Sequence, residues 1–335
     1  MDSLQHLPTE ARNPASQRLD ELTSIEIVEL MNREDGTIAA AVAATSAAIA
    51  SAIDALVDRF PRGGRLIYCG AGTSGRLGVL DSSECPPTFQ TDPSQVIGLI
   101  AGGPGAMFVA VEGAEDSPEL GESDLKALNL TADDVVCGIA TSGRTPYVMG
   151  AVAYARTAGA LTLGIACNPG SELAAAVDIA IVPVVGPEIL SGSTRLKAGT
   201  ATKLVLNTLT TGAMIRLGKT FGNLMVDLKA TNSKLKVRAN RIVRTIADLD
   251  EPAAAELLRR SQGEVKTAIL MHLGGFTLEL ARATLQEFGG KIKPALAALG
   301  KLPPSVEQVG GSDKGGAADT PTKGVNTLRS FGEPK

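Results

Sequence analysis

Arg65-Leu66-Ile67-Tyr68-Cys69-Gly70-Ala71-Gly72-Thr73-Ser74-Gly75 decides how the chain is read. Its apolar run shows no polar alternation, the pattern of a parallel strand covered on both faces. The run stops at a glycine-rich turn, and residues 76–83 then follow helical spacing. Further runs of the same kind lie at 95–100, 135–140, 161–167 and 179–185, and helical stretches at 119–128, 146–158 and 171–176 separate most of them. Strand–helix alternation predicts an α/β fold with a doubly wound, five-stranded parallel sheet. Pro183 has no N–H to give a neighbour, which places the fifth strand at an edge.

Upstream, Pro8, Asn13 and Pro14 mark an arm with no core of its own. A short helix at 25–32, capped by Ser24, and a long Ala-rich helix at 37–60, ended by Pro61, Gly63 and Gly64, complete an N-terminal region at 1–60. The α/β domain is expected over 61–229, closed by a long helix at 196–219. Helices around 234–247, 252–260, 263–271 and 277–288 predict a small bundle within 230–302. Gly310-Gly311-Ser312 and Lys314-Gly315-Gly316 predict a disordered tail at 303–335. There is no internal repeat.

The 335 residues are 44% hydrophobic and 20% charged, enough to bury a sizeable core. With 32 basic against 36 acidic side chains, no basic excess points to nucleic acid or an anionic membrane. Aromatics are 3% and Trp is absent, which argues against stacking platforms for bases or polysaccharides. Cys69, Cys85, Cys137 and Cys167 are too scattered for a disulfide framework or a zinc site and read as small buried hydrophobes. Two histidines, His6 and His272, exclude multi-His metal sites and most His-based triads by count. The first residues lack a basic segment followed by an apolar one, and the longest uncharged stretch, 36–53, is weakly apolar. A soluble cytoplasmic protein is expected.

Gly70-Ala71-Gly72-Thr73-Ser74-Gly75 has the letters of a dinucleotide fingerprint. The second strand, however, ends Leu99-Ile100-Ala101-Gly102-Gly103, without the carboxylate that would hold a ribose, and no Gly-Lys-Ser/Thr completes a Walker loop. Hydroxyls of Thr73 and Ser74 beside backbone N–H groups at a helix start suit a phosphate monoester instead. Thr141-Ser142-Gly143-Arg144-Thr145-Pro146 repeats that chemistry after the third strand. In a flavodoxin-like order, 2-1-3-4-5, the two turns flank the switch point where ligands bind, so Gly72, Thr73, Ser74, Thr141, Ser142, Gly143 and Thr145 are candidate phosphate ligands. Ordinary turns use the same residue types. Arg76 and Arg144 could add charge or be solvated. Glu188, Ser193 and Lys197, in the segment before the long helix, are further candidates.

Two carboxylate groups stand out. Glu84 precedes Pro86-Pro87, which should stop its helix and fix its exit. Glu112, Glu115 and Asp116 crowd five residues, and crowding of carboxylates is one route to a base that works near neutral pH. A solvated acidic turn would read the same way.

Several long motifs occur in one order: 70–76, Ser83-Glu84-Cys85-Pro86-Pro87-Thr88-Phe89, Glu112-Gly113-Ala114-Glu115-Asp116-Ser117, 192–203, Asn223-Leu224-Met225-Val226-Asp227-Leu228 and the opening Thr9-Glu10-Ala11-Arg12-Asn13. Together they resemble the N-acetylmuramic acid 6-phosphate etherases, over nearly the whole chain to about residue 300. The resemblance implies a sugar-isomerase (SIS) type domain with a C-terminal helical region, a homodimer, no metal and no organic cofactor. It implies cleavage of the lactyl ether of N-acetylmuramate 6-phosphate, with Glu84 as proton donor and Glu115 as the second catalytic residue. Two rivals share the fold: a sugar-phosphate sensor like the glucokinase regulatory proteins, and an aldose–ketose isomerase with Glu188 as base. His272, in an apolar helical stretch, reads as a buried or subunit-contact residue.

Overall fold

The computed structural model describes residues 8–228 and 233–301. The tail expected at 303–335 lies outside the described residues. The chain enters through α1 (Ser24–Asp35), whose first turn is closed by a capping box: the Glu26 carboxylate accepts from the Thr23 N–H at 2.8 Å. The cap is thus Thr23, one residue before the Ser24 expected.

The Ala-rich stretch 37–60 is not one helix. It divides into α2 (Ile38–Ala43) and α3 (Ser46–Arg59), with a 57° bend between Ser24–Ala43 and Ser46–Arg62. The hydroxyls of Thr45 and Ser46 donate to the carbonyls of Val42 (2.7 Å) and Ala43 (2.6 Å). Side chains that bond back to the backbone in this way compete with the next helical bond. No single described helix is long and apolar enough to cross a bilayer.

The alternating core follows: β1 (Leu66–Gly70), α4 (Gly72–Phe89), β2 (Val96–Ile100), α5 (Pro118–Lys126), β3 (Val135–Ile139), α6 (Pro146–Thr157), β4 (Leu161–Ile165), α7 (Glu172–Ala176), β5 (Ile179–Ile181) and α8 (Lys197–Arg216). The sheet is parallel throughout, in the order β2-β1-β3-β4-β5. Every residue of β1 and β3 is buried, which is why these strands carry no polar alternation. Leu66 and Tyr68 point to the side covered by α3 and α8, where they meet Leu56, Val205 and Leu209. Ile67 and Cys69 point to the other side, with Leu125, Tyr147 and Val148 of α5 and α6. β5 is the edge strand and stops two residues before Pro183.

A second core lies beyond α8. A hairpin, β6 (Thr220–Phe221) and β7 (Leu224–Met225), leads to α9 (Ser233–Ala247), α10 (Glu251–Arg260), α11 (Val265–Gly274), α12 (Leu278–Glu287) and α13 (Ile292–Ala297). Phe221, Ile242, Ile246, Ile269, Leu285 and Ile292 are among its buried residues. The hairpin and α13 leave no period in the sequence, because two-residue strands and a six-residue helix are too short to show one. His272 is exposed on α11.

Candidate active site

Gly70 ends β1 level with Ile100 of β2 and Ile139 of β3, so the turns after these strands leave the sheet at one height. A Cβ on Gly75 would lie 2.6 Å from the Gly70 carbonyl oxygen and 2.7 Å from Ile100 Cγ1. The fingerprint-like spacing therefore serves close strand–helix packing, a demand that exists without any nucleotide. Thr73 is half-buried and Ser74 buried at the start of α4.

The second turn is pinned from both sides. The Gly143 N–H donates to the Ala140 carbonyl at 2.8 Å, and the Gly143 carbonyl accepts from the Leu173 N–H at 2.8 Å. Gly143 has φ +74°, and a Cβ there would meet Ser171 Cβ at 2.2 Å, so both conformation and space require glycine. Thr141, Ser142 and Thr145 are half-buried beside it, and Pro146 opens α6. The hydroxyls of Thr73, Ser74, Ser142 and Thr145 have no hydrogen-bond partner among the described residues.

Arg76 is half-buried and engaged by backbone carbonyls. Its Nε and Nη2 donate to the carbonyls of Met107 (2.9 Å) and Ala106 (2.8 Å), tethering the 3₁₀ turn Pro104–Met107 to α4. The chain then crosses to a second 3₁₀ turn, Ala114–Asp116, seated by buried Ala114 in the cluster that holds Cys69, Ala140 and Tyr147. Glu115 stands exposed on this turn, at a cleft of about 300 Å³ that it lines with Gly72, Arg76, Val111 and Glu112. The hollow opens over the ends of β1 and β2, one strand aside from the β1–β3 crevice expected, while the turn carrying Glu115 packs on α6, on the β3 side.

Glu84 lies elsewhere in the chain. It is exposed on α4, twelve residues past Gly72, and thus about 18 Å along the helix axis. Pro86-Pro87 does not stop the helix as expected. α4 runs on to Phe89 and closes when the Gln90 N–H donates to the Pro86 carbonyl at 3.0 Å. Cys85 and Phe89, one turn apart, are both buried in the same core, and this packing outweighs the two missing N–H groups. One turn before Glu84, Asp81 is buried and accepts from Tyr68 Oη (2.9 Å), Asn207 Nδ2 (2.7 Å) and Thr210 Oγ1 (3.3 Å). Burial pushes this carboxyl above its ordinary range, and the three hydrogen bonds pull back against it. α4 is therefore fixed to β1 and α8 directly behind Glu84. Glu84 is not among the residues that line the cleft at Glu115.

The third segment is built differently from its reading. Glu188 is fully buried, and its two oxygens accept from the backbone N–H groups of Lys197 and Ala198, each at 2.9 Å, at the start of α8. The Lys197 ammonium, also buried, donates to Glu34 Oε2 at 2.7 Å. Ser193 sits half-buried in the turn just before. The first turn of α8 nonetheless reaches the site: a Cβ on Gly199 would lie 3.6 Å from Thr73 Cγ2. Asn168, after β4, was passed over in the sequence because Asn168-Pro169-Gly170 has the composition of any turn; it is fully buried and donates to the Thr141 carbonyl at 3.0 Å. All four cysteines are buried and free. Burial pushes the thiols of Cys85 and Cys167 up to about 12, and those of Cys69 and Cys137 higher, so none is a ready nucleophile.

Residues 48–156 match the model of the glucokinase regulatory protein N-terminal SIS domain, and residues 115–212 match that of the SIS domain. The N-acetylmuramic acid 6-phosphate etherase of Streptomyces avermitilis is 59% identical over 295 residues, 88% of this chain and 95% of the relative. Those of Rhodopirellula baltica (54% over 297 residues, 89% and 98%) and Vibrio vulnificus (56% over 293 residues, 88% and 98%) are similar to nearly the same extent. With identity this high over almost the full length of each relative, and a sheet of the same SIS architecture beneath it, the chain belongs to the N-acetylmuramic acid 6-phosphate etherase family.

Proposed function

We propose that the chain cleaves the D-lactyl ether of N-acetylmuramate 6-phosphate to N-acetylglucosamine 6-phosphate and D-lactate, in the recycling of cell-wall amino sugar. The observation that carries this is the 52–59% identity to etherases across 88–89% of the chain. The site chemistry agrees. An alkyl ether is a poor leaving group, but in the open-chain sugar the aldehyde at C1 acidifies the proton on C2. Glu115 removes that proton, the C3–O bond breaks, and Glu84 protonates the departing lactate oxygen. Water then adds at C3 of the unsaturated aldehyde, giving its proton to the Glu84 carboxylate, and C2 regains a proton. Two positioned acid–base groups and an anchored phosphate suffice for this sequence. The hydroxyl turns at 73–74 and 141–145 are the anchor.

The working unit in this reading is a homodimer. Glu84 stands about 18 Å down α4 from the glycine turn, too far for one sugar to bridge it and Glu115 of the same chain. Leu80, four residues before Glu84 and on its face of α4, is 50% exposed, while Phe108 and Val109, on the segment leading to Glu115, are 90% and 72% exposed. Exposed apolar side chains on the face of α4 that carries Glu84 and on the segment leading to Glu115 support a second copy covering both, so that each site takes Glu84 from one chain and Glu115 from the other. Four buried free cysteines fit a reducing compartment such as the cytoplasm.

The match to the glucokinase regulatory protein domain keeps a sensor in view. The deciding test is incubation of the purified protein with N-acetylmuramate 6-phosphate, following D-lactate. Stoichiometric lactate is expected. Tight binding without lactate would make the protein a sensor, and a ketose phosphate without lactate would make it an isomerase.

A further inference from the structure

The opening motif, residues 9–13, has no part in the chemistry above, yet two of its polar side chains, Thr9 and Asn13, are deeply buried. Thr9, Asn13 and their partner Asn168 are 1%, 5% and 0% exposed. The stretch contributes no large apolar side chain to the core, so hydrophobic burial does not account for its seating. Its anchors are hydrogen bonds, most of them to residues more than 150 positions away. The Thr9 N–H and Oγ1 donate to Asn168 Oδ1 at 3.2 and 3.3 Å, and Asn168 Nδ2 donates to Thr9 Oγ1 at 3.0 Å. The same Nδ2 donates to the Thr141 carbonyl at 3.0 Å, beside the Cys167 N–H at 2.9 Å. Four residues on, Asn13 Nδ2 donates to the Pro187 carbonyl at 3.2 Å and to Glu34 Oε2 at 2.8 Å, the oxygen that also holds Lys197.

Both anchors therefore end on loops that follow the C-terminal ends of the strands, after β3, β4 and β5. Thr9 acts through Asn168 on Thr141, which opens the hydroxyl turn. Asn13 acts on Pro187, next to the carboxylate that caps α8. We propose that residues 9–13 form a clamp that holds the Thr141–Thr145 turn in its phosphate-receiving shape, with Thr9 and Asn168 as positioning residues. This rests on the reading of that turn as the phosphate anchor. Thr9 touches no reacting atom. Its hydroxyl fixes the Asn168 amide, which carries the position to the turn. A clamp of this kind acts on binding of the phosphoryl group and leaves the C2–C3 chemistry alone.

The test is steady-state kinetics with N-acetylmuramate 6-phosphate, and inhibition by inorganic phosphate, in Thr9→Val, Thr9→Ser and Ser142→Ala. Thr9→Val is expected to raise KM and the phosphate inhibition constant together, roughly tenfold, with kcat within twofold of the parent. Thr9→Ser keeps the hydroxyl and should restore both. Ser142→Ala reports on the anchor itself and should also weaken phosphate inhibition. A Thr9→Val protein with lowered Tm but unchanged KM and phosphate inhibition, alongside an affected Ser142→Ala, would reduce the arm to a fold anchor and overturn the clamp alone. Phosphate inhibition untouched by Ser142→Ala would remove the anchor reading and the clamp with it.

Discussion

Glu188 and Lys197, both candidate site residues by sequence, are each engaged in structural contacts. The Glu188 carboxylate takes two orphan N–H groups at the start of α8, where the helix dipole favours negative charge. Glu188→Ala should cost about 2 kcal/mol and lower Tm by several degrees in a thermal melt. Glu84→Gln is different: it touches solvent alone in the single chain and should leave Tm unchanged. It should lower kcat by at least about a hundredfold while N-acetylglucosamine 6-phosphate still binds. Near-normal turnover in that variant would refute the role given to Glu84. The roles proposed for Glu84 and Glu115 rest on the family resemblance of their motifs, while the places of the hydroxyl turns were legible because glycine, serine and threonine cluster after apolar runs. The cap at Glu188 and the pairing of Lys197 with Glu34 were not, since a residue 163 positions away leaves no local trace.

Among the elements, β1 and β3 start from one ionic joint. Asp134 is 1% exposed and accepts from Arg65 Nε (2.9 Å), Arg65 Nη2 (2.7 Å) and the backbone N–H groups of Arg65 (2.9 Å) and Thr131 (2.8 Å). Burial pushes its carboxyl up, but the Arg65 hydrogen bonds and the backbone N–H groups outweigh it and hold the carboxyl below its ordinary 3.8. A carboxyl lowered in the folded state contributes stability above its unfolded value and loses it as pH falls through the folded one. The parent should thus lose Tm below about pH 3.8 more steeply than Asp134→Asn, which is already destabilised at pH 7. Parallel slopes in the two proteins would contradict this. At the other end of β1, Gly75→Ala has no room for its methyl and should fold poorly or with a much lower Tm. The strands were readable from the sequence because full burial removes polar alternation. The break at Thr45 and the passage of α4 through Pro86-Pro87 were not, because each turns on a balance between local propensity and packing that composition does not reveal.

At the scale of the whole molecule, the sheet order was legible from strand–helix alternation, whereas a site shared between two copies, as proposed above, leaves no trace in one chain's sequence. Mixing inactive Glu84→Gln and Glu115→Gln homodimers and letting subunits exchange should recover about a quarter of parental activity, since half the dimers then carry one intact composite site. No recovery would place both glutamates in one chain's site. Leu80→Arg or Phe108→Arg should yield monomers with little activity, seen by sedimentation. The most direct measurement of the central claim is turnover of N-acetylmuramate 6-phosphate in water enriched in both ¹⁸O and deuterium, with the products weighed by mass spectrometry. Elimination followed by hydration puts one ¹⁸O on C3 and one deuterium on C2 of the sugar, and leaves lactate with its original ether oxygen. Heavy oxygen in the lactate, or a C2 proton that never exchanges, would contradict it.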